Sequence, residues 1–433
     1  MDTWTRKPSS TDGNPITFQA LTWKSYDYED QFHITCCGCN ENGDSIGVTI
    51  DNFTPAFYIK IPKQYKSWTP DYTEKFLQFI KKRLGQKKTH IVSVTLVKAK
   101  ILYPFTNQET FPFLRLKFTS IAAFKTASFI FKKFIKWHPD KPPSLWDLYE
   151  SNIDPMLRFC HTRNINTAGW IKINKYIDTQ TQFSQCSFNV SVKYTDLEPL
   201  LDKQATAPFV IGSFDIECDS KATRDKHSAK FNINADRDIK KELPTIFPDA
   251  TKKGDQIRII CTSLWKYGTD QYLKHAVCIA PCDTTETGAD ICECAQNERE
   301  LLIKWFAFIR NTDPDVMMGW NIYGFDDEYI YKRLQLHDLT DLMTSCTRIP
   351  NISGEMKDAK LVTAAYGSNF FRIMDMPGVY KVDLYVWFKR ETKLESYKLD
   401  RVSEHYLKEN KIDAIYDKKK IEEKNLKTII SEV

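Results

Sequence analysis

Two carboxylates stand two residues apart at the end of an apolar run over 209–214, and this pair constrains the chain more than any other feature. The run predicts a buried strand. Because side chains alternate across a strand, Asp215 and Glu217 project from one face and can converge on one point. A divalent cation relieves the repulsion between two such carboxylates. Two acidic residues at this spacing lie more often on a solvated strand face than at a metal site, so the pair alone does not establish a metal site.

The overall composition is that of a soluble globular protein. The chain has 433 residues, enough for two or three domains, with 42% hydrophobic, 13% aromatic and 27% charged residues. It contains no apolar run of membrane-spanning length and no signal-peptide core at its N-terminus. We therefore expect an intracellular, soluble protein without a membrane partner. The net charge of +5 is too small to identify a binding partner. Lysines alternate with aromatic residues around Lys132 and Phe134, and this pattern is compatible with nucleic-acid binding.

The cysteines do not indicate a metal site or a disulfide framework. Cys36, Cys37 and Cys39 lack the paired C-x2-C spacing that tetrahedral zinc sites favour, and so does a second group over 278–294. Without a secretory signal, we expect reduced thiols that serve as small buried hydrophobic side chains.

The hydrophobic pattern divides the chain into three parts. We expect a polar lead-in over 1–30, an N-terminal domain of mixed strands and helices over 31–207, and a further domain over 208–433. In the N-terminal domain the pattern predicts strands at 32–35, 46–50, 57–61, 92–102 and 113–118, a hairpin turn at 40–44, and helices at 72–84 and 121–137. In the last helix a core stripe is expected, formed by Phe124, Ala127, Phe131 and Phe134.

The third part has the pattern of an α/β domain. After the strand at 209–214 come a polar insert that we expect to be a mobile loop (221–243), strands at 256–264, 272–279 and 316–318, and helices at 298–310 and 327–336. Strands followed by alternation of strands with helices indicate a mixed central sheet.

A third carboxylate completes the candidate site. Gly319 permits a tight exit from the strand at 316–318, and Asp326 then stands at the start of the next helix. Delivered beside Asp215 and Glu217, it would form an oxygen-rich cluster of the kind that suits Mg²⁺ or Mn²⁺. Alternatively, Asp326 is a helix N-cap whose acidic neighbours favour the helix dipole. The pattern alone does not choose between these two.

These residues resemble two motifs of the family B DNA polymerases. The sequence Phe-Asp-Ile-Glu at 214–217 resembles the first exonuclease motif, and Asn321, Phe325 and Asp326 resemble the second. Further similar segments lie at 149–153, 157–159, 169–171, 247–248, 254–257, 365–369 and 394–399, so that the resemblance extends from about residue 32 to 407. Cellular delta-type enzymes and polymerases of large DNA viruses look equally similar.

The resemblance implies an RNase H-like 3′-5′ exonuclease domain with a mixed central sheet, preceded by a mixed α+β N-terminal domain. By that analogy Asp215 would bridge two ions, Mg²⁺ or Mn²⁺, while Glu217 completes the shell of the first and Asp326 holds the second. The residues expected to contact the terminal nucleotide are Asn321, Phe325 and Phe214. Asp383 and Tyr397, in matching segments, are interpreted as scaffold.

The same resemblance implies partners and a reaction. The enzyme would remove mispaired nucleotides from a single-stranded primer 3′ end of a primer-template during DNA replication. A C-terminal polymerase portion or a separate polypeptide would be its protein partner, in the nucleus or at a viral replication site. Two other hypotheses stay open: a DNA- or polymerase-binding module without catalysis, and an independent nuclease of the same superfamily.

The sequence departs from the family pattern in three ways. A third motif, Tyr-x3-Asp, does not follow the segment near Leu407, so we expect an exonuclease domain truncated before it. The matches that begin at Tyr26 and Tyr323 lie in the wrong places. The polymerase palm motifs are absent from these residues, and Gly324 stands where the family often has Asn. We therefore expect full exonuclease activity only when a continuation or partner supplies the third motif.

Overall fold

The structure is a computed structural model that describes residues 4–7, 9, 11–65, 67–179, 185–221, 247–279, 281, 284, 288–363 and 367–409. Apart from its first residue, the insert predicted at 221–243 lies outside these ranges. In the described residues, no helix has the length and apolar character needed to cross a membrane.

The first half of the chain forms two sheets. Its elements are β1 (Ile16–Tyr28), β2 (Gln31–Asn40), β3 (Ser45–Asp51), β4 (Ala56–Lys60), α1 (Pro70–Leu84), a 3-10 turn (Gly85–His90), β5 (Ile91–Lys100), β6 (Thr110–Phe118), α2 (Ile121–Phe131), β7 (Leu148–Tyr149), α3 (Pro155–Arg163), β8 (Trp170–Ile173), β9 (Ile177–Asp178), β10 (Phe188–Lys193) and β11 (Leu197–Leu200). One sheet has the order β11-β8-β1-β2-β3-β10-β9 and the other the order β5-β6-β4-β7. The predicted hairpin joins β2 to β3, where the Asn40 N–H donates to the Asp44 carbonyl at 3.0 Å.

The expected loose lead-in over 1–30 is wrong, because β1 lies inside the seven-stranded sheet. It pairs with β2 on one side and β8 on the other. Phe18 and Ala20 are buried, but most of the strand is only half-buried. Such a strand tolerates polar side chains, and the apolar alternation that would have predicted it is therefore weak.

The helix predicted over 121–137 ends earlier than expected. Ser120 caps α2 by accepting a hydrogen bond from the Ala123 N–H, and the helix stops at Phe131. Ile135 then forms a bridge with Ser144, which takes the backbone out of the helix. Phe134 is consequently 74% exposed and does not belong to the predicted core stripe.

The second half of the chain forms a mixed sheet, as predicted. Its elements are β12 (Val210–Asp219), β13 (Gln256–Lys266), β14 (Tyr272–Cys278), β15 (Ile291–Cys294), α4 (Glu298–Thr312), β16 (Val316–Gly319), α5 (Asp326–Leu336), α6 (Asp341–Thr344), β17 (Glu355–Thr363), β18 (Gly367–Asp375), β19 (Tyr380–Asp383), α7 (Leu384–Glu391) and α8 (Leu399–Leu407). The sheet order is β15-β14-β13-β12-β16-β19, and β17 and β18 form a separate hairpin. β12 is central: it is antiparallel to β13 and parallel to β16.

Helix α4 supplies much of the core behind β12. Its buried residues include Leu301, Leu302, Trp305, Phe308 and Ile309. The Trp305 indole N–H donates to the Thr262 hydroxyl of β13 at 3.0 Å, so the one polar atom of that ring is satisfied. Burial of this apolar stripe fixes the helix against the sheet.

Buried ion pairs connect the two halves. The Arg348 guanidinium contacts Asp313 at 2.6 Å and Asp315 at 2.8 Å, and Arg6 contacts Asp315 at 2.9 Å. The Ser45 hydroxyl of β3 donates to the Asp313 carboxylate at 2.6 Å. Because these charges are desolvated, they remain stable only as a complete hydrogen-bonded set.

The three clustered cysteines of β2 match their expected role. Cys36, Cys37 and Cys39 are buried and form no disulfide. Burial raises the pKa of the Cys36 thiol well above its ordinary value, which keeps it neutral and apolar in character.

Candidate functional site

The predicted carboxylate pair lies on one face of β12. Asp215 is exposed and Glu217 is half-buried, while the preceding Phe214 and the intervening Ile216 are buried. Asp215 stands opposite Cys261 of β13, in the middle of the sheet. The alternation that the sequence predicted is therefore confirmed, and the two carboxylates share a face.

The same alternation contradicts the assignment of Phe214 to substrate binding. Its side chain is 3% exposed and packs in the core, with its ring centroid 5.4 Å from that of Trp305. A side chain that faces the core from a strand position next to Asp215 does not reach a substrate on the carboxylate face.

A tight turn after β16 brings the second motif against β12. A Cβ on Gly319 would lie 2.8 Å from the Phe214 carbonyl oxygen and 2.5 Å from the side chain of Ile322, so only glycine fits. Asn321 adopts a positive φ of 60°. The Asp383 carboxylate holds this turn by accepting the N–H groups of Asn321 and Tyr323 at 3.0 Å each. Asp383 thus has the scaffold role expected of it.

Tyr397 also has a scaffold role. Its hydroxyl donates to the Thr392 carbonyl at 2.8 Å and accepts the Leu394 N–H at 3.3 Å. These bonds order the segment between α7 and α8.

Asp326 is the first helical residue of α5, and its carboxylate is buried beside β12. The residue is 3% exposed, and a backbone hydrogen bond from Ile216 reaches its carboxylate. Its Oδ1 atom has no hydrogen-bond partner among the described residues. Burial, followed by the nearby charge of Asp215, raises the pKa of Asp326 to about 7. The structure therefore makes Asp215 and Asp326 electrostatic neighbours.

The alternative role of Asp326 as an N-cap is not observed. Phe325 occupies the N-cap position, and its side chain makes no capping hydrogen bond. The two following acidic residues have cationic partners: Asp327 contacts Lys381 at 2.5 Å, and Glu328 contacts Lys332 at 2.7 Å. In the described part of the chain, Asp326 forms no such ion pair.

The structure corrects one part of the predicted geometry. Within the described ranges, no three Asp, Glu, His or Cys side chains are close enough together to hold a metal ion. The expected closed cluster of Asp215, Glu217 and Asp326 is therefore not formed. Like charges repel in the absence of a cation, so a fully converged set of three carboxylates is unfavourable by itself.

The residues nevertheless fit an ion whose coordination is shared between the protein and a substrate, rather than an ion enclosed by protein ligands alone. Mg²⁺ commonly takes one or two protein carboxylates and completes its shell with water and substrate phosphates. A buried carboxylate oxygen without a partner, next to a second carboxylate, is a donor set of this kind. The oxygen-only chemistry of the three acidic residues also suits Mn²⁺.

Asn321 and Phe325 precede Asp326 in the second motif. Asn321 is exposed, and the half-buried ring of Phe325 packs 5.2 Å from Tyr329 and 5.3 Å from Phe247. Phe247 is 73% exposed and was not predicted as a site residue. Its position next to Pro248 within a family-like segment was the available signal, but nothing in the sequence indicated that it meets Phe325.

Gly324 has a local reason to be glycine. A Cβ at this position would lie 2.5 Å from the Asn321 Oδ1 atom. The space left by the missing side chain accommodates the Asn321 amide.

The Tyr-x3-Asp match at 323–327, which lies in the wrong place for the third motif, makes structural contacts. The Tyr323 hydroxyl donates to the Lys381 carbonyl at 2.9 Å, and Asp327 pairs with the Lys381 ammonium. That ammonium also lies 5.5 Å from the Phe214 ring centroid. No local pattern predicted this contact, because β19 joins the sheet from a distant part of the chain.

Comparison with known proteins agrees with the geometry. Residues 146–402 match the family described as DNA polymerase family B, exonuclease domain. The chain is 27% identical to the DNA polymerase of Pyramimonas orientalis virus, over 90% of this chain and 42% of that protein. It is 28% identical to the DNA polymerase of Acanthamoeba polyphaga mimivirus, over 86% of this chain and 21% of that protein.

Cellular and structural relatives give the same result. The chain is 27% identical to the DNA polymerase delta catalytic subunit of Schizosaccharomyces pombe, over 93% of this chain and 35% of that protein. The fold is shared with the family B DNA polymerase from Pyrobaculum calidifontis, with a TM-score of 0.59 at 14% identity, over 96% of this chain and 44% of that one. The chain thus spans less than half the length of each of these relatives.

Proposed function

This chain belongs to DNA polymerase family B and includes its exonuclease domain, and from that premise we propose that it is the N-terminal and proofreading portion of such a polymerase. The proposed reaction is hydrolysis of the last phosphodiester bond at the 3′ end of a DNA primer. Shared membership of the family supports the reaction class, while the residues on β12 and α5 support its location.

One observation carries the proposal: a buried Asp326 carboxylate oxygen has no hydrogen-bond partner among the residues that the structure describes, and it lies near Asp215. Leaving a buried polar atom unsatisfied disfavours folding by about 1–3 kcal/mol. The next two acidic residues, Asp327 and Glu328, each pair with a cation. The exception among three successive acidic residues is the one that faces the carboxylates of β12.

The proposed chemistry assigns a task to each acidic residue. Asp215, Glu217 and Asp326 would hold two divalent cations, Mg²⁺ or Mn²⁺. When bound, such cations activate the attacking water and stabilise charge on the leaving 3′ oxygen. Because the pKa of Asp326 is raised to about 7, positive charge nearby would favour its ionised form near neutral pH. The turn that Asp383 holds fixes the position of the second motif relative to β12.

The neighbouring side chains would position the primer end. Phe325 and Phe247 offer an edge-to-face pair of rings, one half-buried and one exposed, on which a base or sugar can pack. The exposed Asn321 amide can donate and accept hydrogen bonds on the same side. A single-stranded end suits this arrangement, because only unpaired bases present a free face for stacking.

The proposed partners follow from the relatives. The relatives named DNA polymerase are more than twice as long as the part matched here, so a polymerase portion is the proposed protein partner. Primer-template DNA is the proposed substrate. The nucleus or a viral replication site is the proposed location.

The test is a cleavage assay on a primer with a mismatched 3′ end in Mg²⁺. We expect Asp326→Asn and Asp215→Ala to lower the cleavage rate by at least about 10²-fold. Asp219→Asn is the matched control, because Asp219 lies on the same strand and pairs with Arg258 at 3.9 Å. Equal rates for Asp326→Asn, Asp219→Asn and the unaltered chain would contradict the proposal.

A second candidate function is favoured by the lack of a three-ligand group in the described residues. In that case the chain is a DNA- or polymerase-binding module without catalysis. It would bind a primer end tightly and leave it intact in both Mg²⁺ and Mn²⁺. Adding the polymerase portion to the same assay distinguishes a module that never cleaves from a site that needs completion.

A further inference from the structure

The segment 247–255, which we call the strap, is closed by its own hydrogen bonds. The buried Asp255 carboxylate accepts the Asp249 N–H at 2.9 Å, and the Lys252 N–H donates to the Asp249 carbonyl at 2.9 Å. Asp255 also accepts the Lys221 N–H at 2.9 Å. These bonds tie the middle of the strap to its C-terminal end, and they restrict the course of its backbone.

Helix α5 holds the strap through two side chains. The Arg333 Nη1 atom donates to the carbonyls of Ala250 at 3.0 Å and Lys252 at 2.8 Å. The Tyr329 hydroxyl donates to the Asp255 carbonyl at 3.2 Å. Because a loop has no ladder of backbone hydrogen bonds to hold it, these three bonds to α5 determine where the strap runs.

A buried carboxylate fixes the orientation of Arg333. Glu298 is the first residue of α4, and neither its side chain nor that of Arg333 is exposed. Its Oε1 atom accepts the Arg333 Nε–H and the Ile257 N–H at 2.8 Å each, and its Oε2 atom accepts a bond from Arg333 Nη2. Oε2 also lies 2.8 Å from His337 Nε2. Two parallel bonds from a planar guanidinium allow a single orientation, which directs Nη1 toward the strap.

The strap and α5 meet again at the two rings proposed to contact the primer end. Phe325, Tyr329 and Arg333 are spaced by four residues, so they follow one side of the helix. The Phe325 ring packs 5.3 Å from that of Phe247, at the start of the strap. The bonds that Arg333 and Tyr329 make to the strap therefore determine where the exposed Phe247 ring stands relative to Phe325.

We propose that Arg333 is a positioning residue for the unpaired primer end: it holds the strap so that the Phe247 ring is placed to stack on the terminal base. The inference rests on the proposed function, because it takes the primer 3′ end as the ligand. It goes beyond that function by assigning part of the affinity for this end to an ion pair in the protein interior. Without Arg333 the strap is released, and the Phe247 ring no longer contributes its stacking.

The test is a double-mutant cycle on the full chain, in which Arg333→Met is made both with Phe247 present and with Phe247→Ala. Affinity for a primer-template with a mismatched 3′-terminal 2-aminopurine is measured by fluorescence in Ca²⁺, and a gel verifies that the primer stays intact. We expect Arg333→Met to weaken binding at least about fivefold with Phe247 present and less than about twofold in the Phe247→Ala background. A purely structural role predicts equal losses in the two backgrounds.

Arg348→Met is the matched control. Arg348 is as buried as Arg333, but its partners are Asp313 and Asp315 rather than the strap. We expect it to lower the stability of the fold and to change primer-end affinity by less than about twofold.

A milder variant provides the test if Arg333→Met does not fold. Tyr329→Phe removes one hydroxyl from the strap and keeps the ring that packs on Phe325. We expect it to weaken primer-end binding about 2- to 10-fold, and again only while Phe247 is present. Tyr176→Phe is its control, because the Tyr176 hydroxyl also donates to a carbonyl, that of Asn14, in the first half of the chain.

The outcomes separate this inference from the proposed function. Equal losses in the two backgrounds, unchanged affinity in Arg333→Met, or no primer binding by the unaltered chain would overturn the positioning role. Cleavage in Mg²⁺ is measured separately. A chain that shows the expected cycle but never cleaves contradicts the proposed function alone, whereas cleavage without the cycle contradicts the positioning role alone.

Discussion

The two ends of helix α5 hold buried carboxylates in opposite environments. At its start, Asp326 lies near Asp215, and one of its oxygens has no hydrogen-bond partner among the described residues. At its other end, Glu298 pairs with Arg333, and both of its oxygens are bonded. Burial disfavours a bare charge and tolerates a paired one. The first arrangement is suited to holding a cation beside a reacting phosphate, and the second to holding the backbone in one position.

The strongest test of this comparison is removal of divalent ions. A chelator should lower cleavage of a mismatched primer by at least about 10³-fold, because the carboxylates then face the phosphate without compensation. Hydrogen exchange of the strap amides, which depends on the Arg333 end of the helix, should change by less than about twofold. Gel analysis of cleavage and mass spectrometry of hydrogen exchange, in the same buffers, measure the two effects. Parallel changes in both would mean that the two ends of the helix form one cation-dependent unit.

A second prediction concerns the effect of the buried Asp326 carboxylate on the stability of the fold. Its pKa is raised to about 7 from the ordinary 3.8, so the unfolded chain ionises it more readily than the folded chain does. The folded state is therefore penalised as pH rises from about 4 to 7, and the penalty stays complete above that range. Because one pKa unit corresponds to about 1.4 kcal/mol, Asp326→Asn should stabilise the metal-free chain by up to about 4 kcal/mol at pH 8 and very little at pH 4.

Urea unfolding at the two pH values measures this difference. Asp219→Asn, on the same strand as Asp215, is the control and should show no such pH-dependent gain. A destabilised Asp326→Asn variant at pH 8 would indicate that the buried acid has a structural partner instead.

A third prediction separates primer positioning from chemistry. Phe325→Ala removes the ring that packs on Phe247 and Tyr329, and should lower the cleavage rate about 10- to 50-fold. Phe247→Ala, which removes only the exposed partner, should lower it less. Single-turnover rates at saturating primer measure both. A Phe247→Ala loss larger than the Phe325→Ala loss would show that the order of contacts is reversed.

The smallest predicted effect concerns His337, the outer partner of Glu298. His337→Ala leaves both Glu298 oxygens bonded to Arg333, so it should destabilise the fold by about 1 kcal/mol and lower the cleavage rate by less than about twofold. Urea unfolding and the single-turnover assay measure the two effects. A loss of cleavage larger than that of Phe247→Ala would show that His337, and not Arg333 alone, holds the strap.

The same comparison explains how far the sequence could predict the molecule. The strand of Asp215, the tight exit at Gly319 and the helix that begins at Asp326 follow from local rules of alternation and turn geometry, and all three are confirmed. The pairing of Glu298 with Arg333 was not predicted, because it joins side chains that are 35 residues apart in the sequence. No local pattern shows that the start of α4 meets the end of α5.

The errors have identifiable causes. β1 was missed because a mostly half-buried strand has weak apolar alternation. Phe214 was assigned to substrate through its motif, although strand alternation turns it toward Trp305. The closed set of three carboxylates was expected from chemistry that includes cations, and the folded chain without them keeps only the neighbouring relation of Asp215 and Asp326.

The most direct test of the central claim is Mn²⁺ binding, followed by electron paramagnetic resonance with a deoxynucleoside monophosphate present to supply the phosphate oxygens. The account predicts that the unaltered chain and Asp219→Asn bind Mn²⁺ with similar affinity, and that Asp326→Asn binds it at least about tenfold more weakly. Equal Mn²⁺ affinity in the unaltered chain and Asp326→Asn would contradict the claim that this buried carboxylate is a metal ligand.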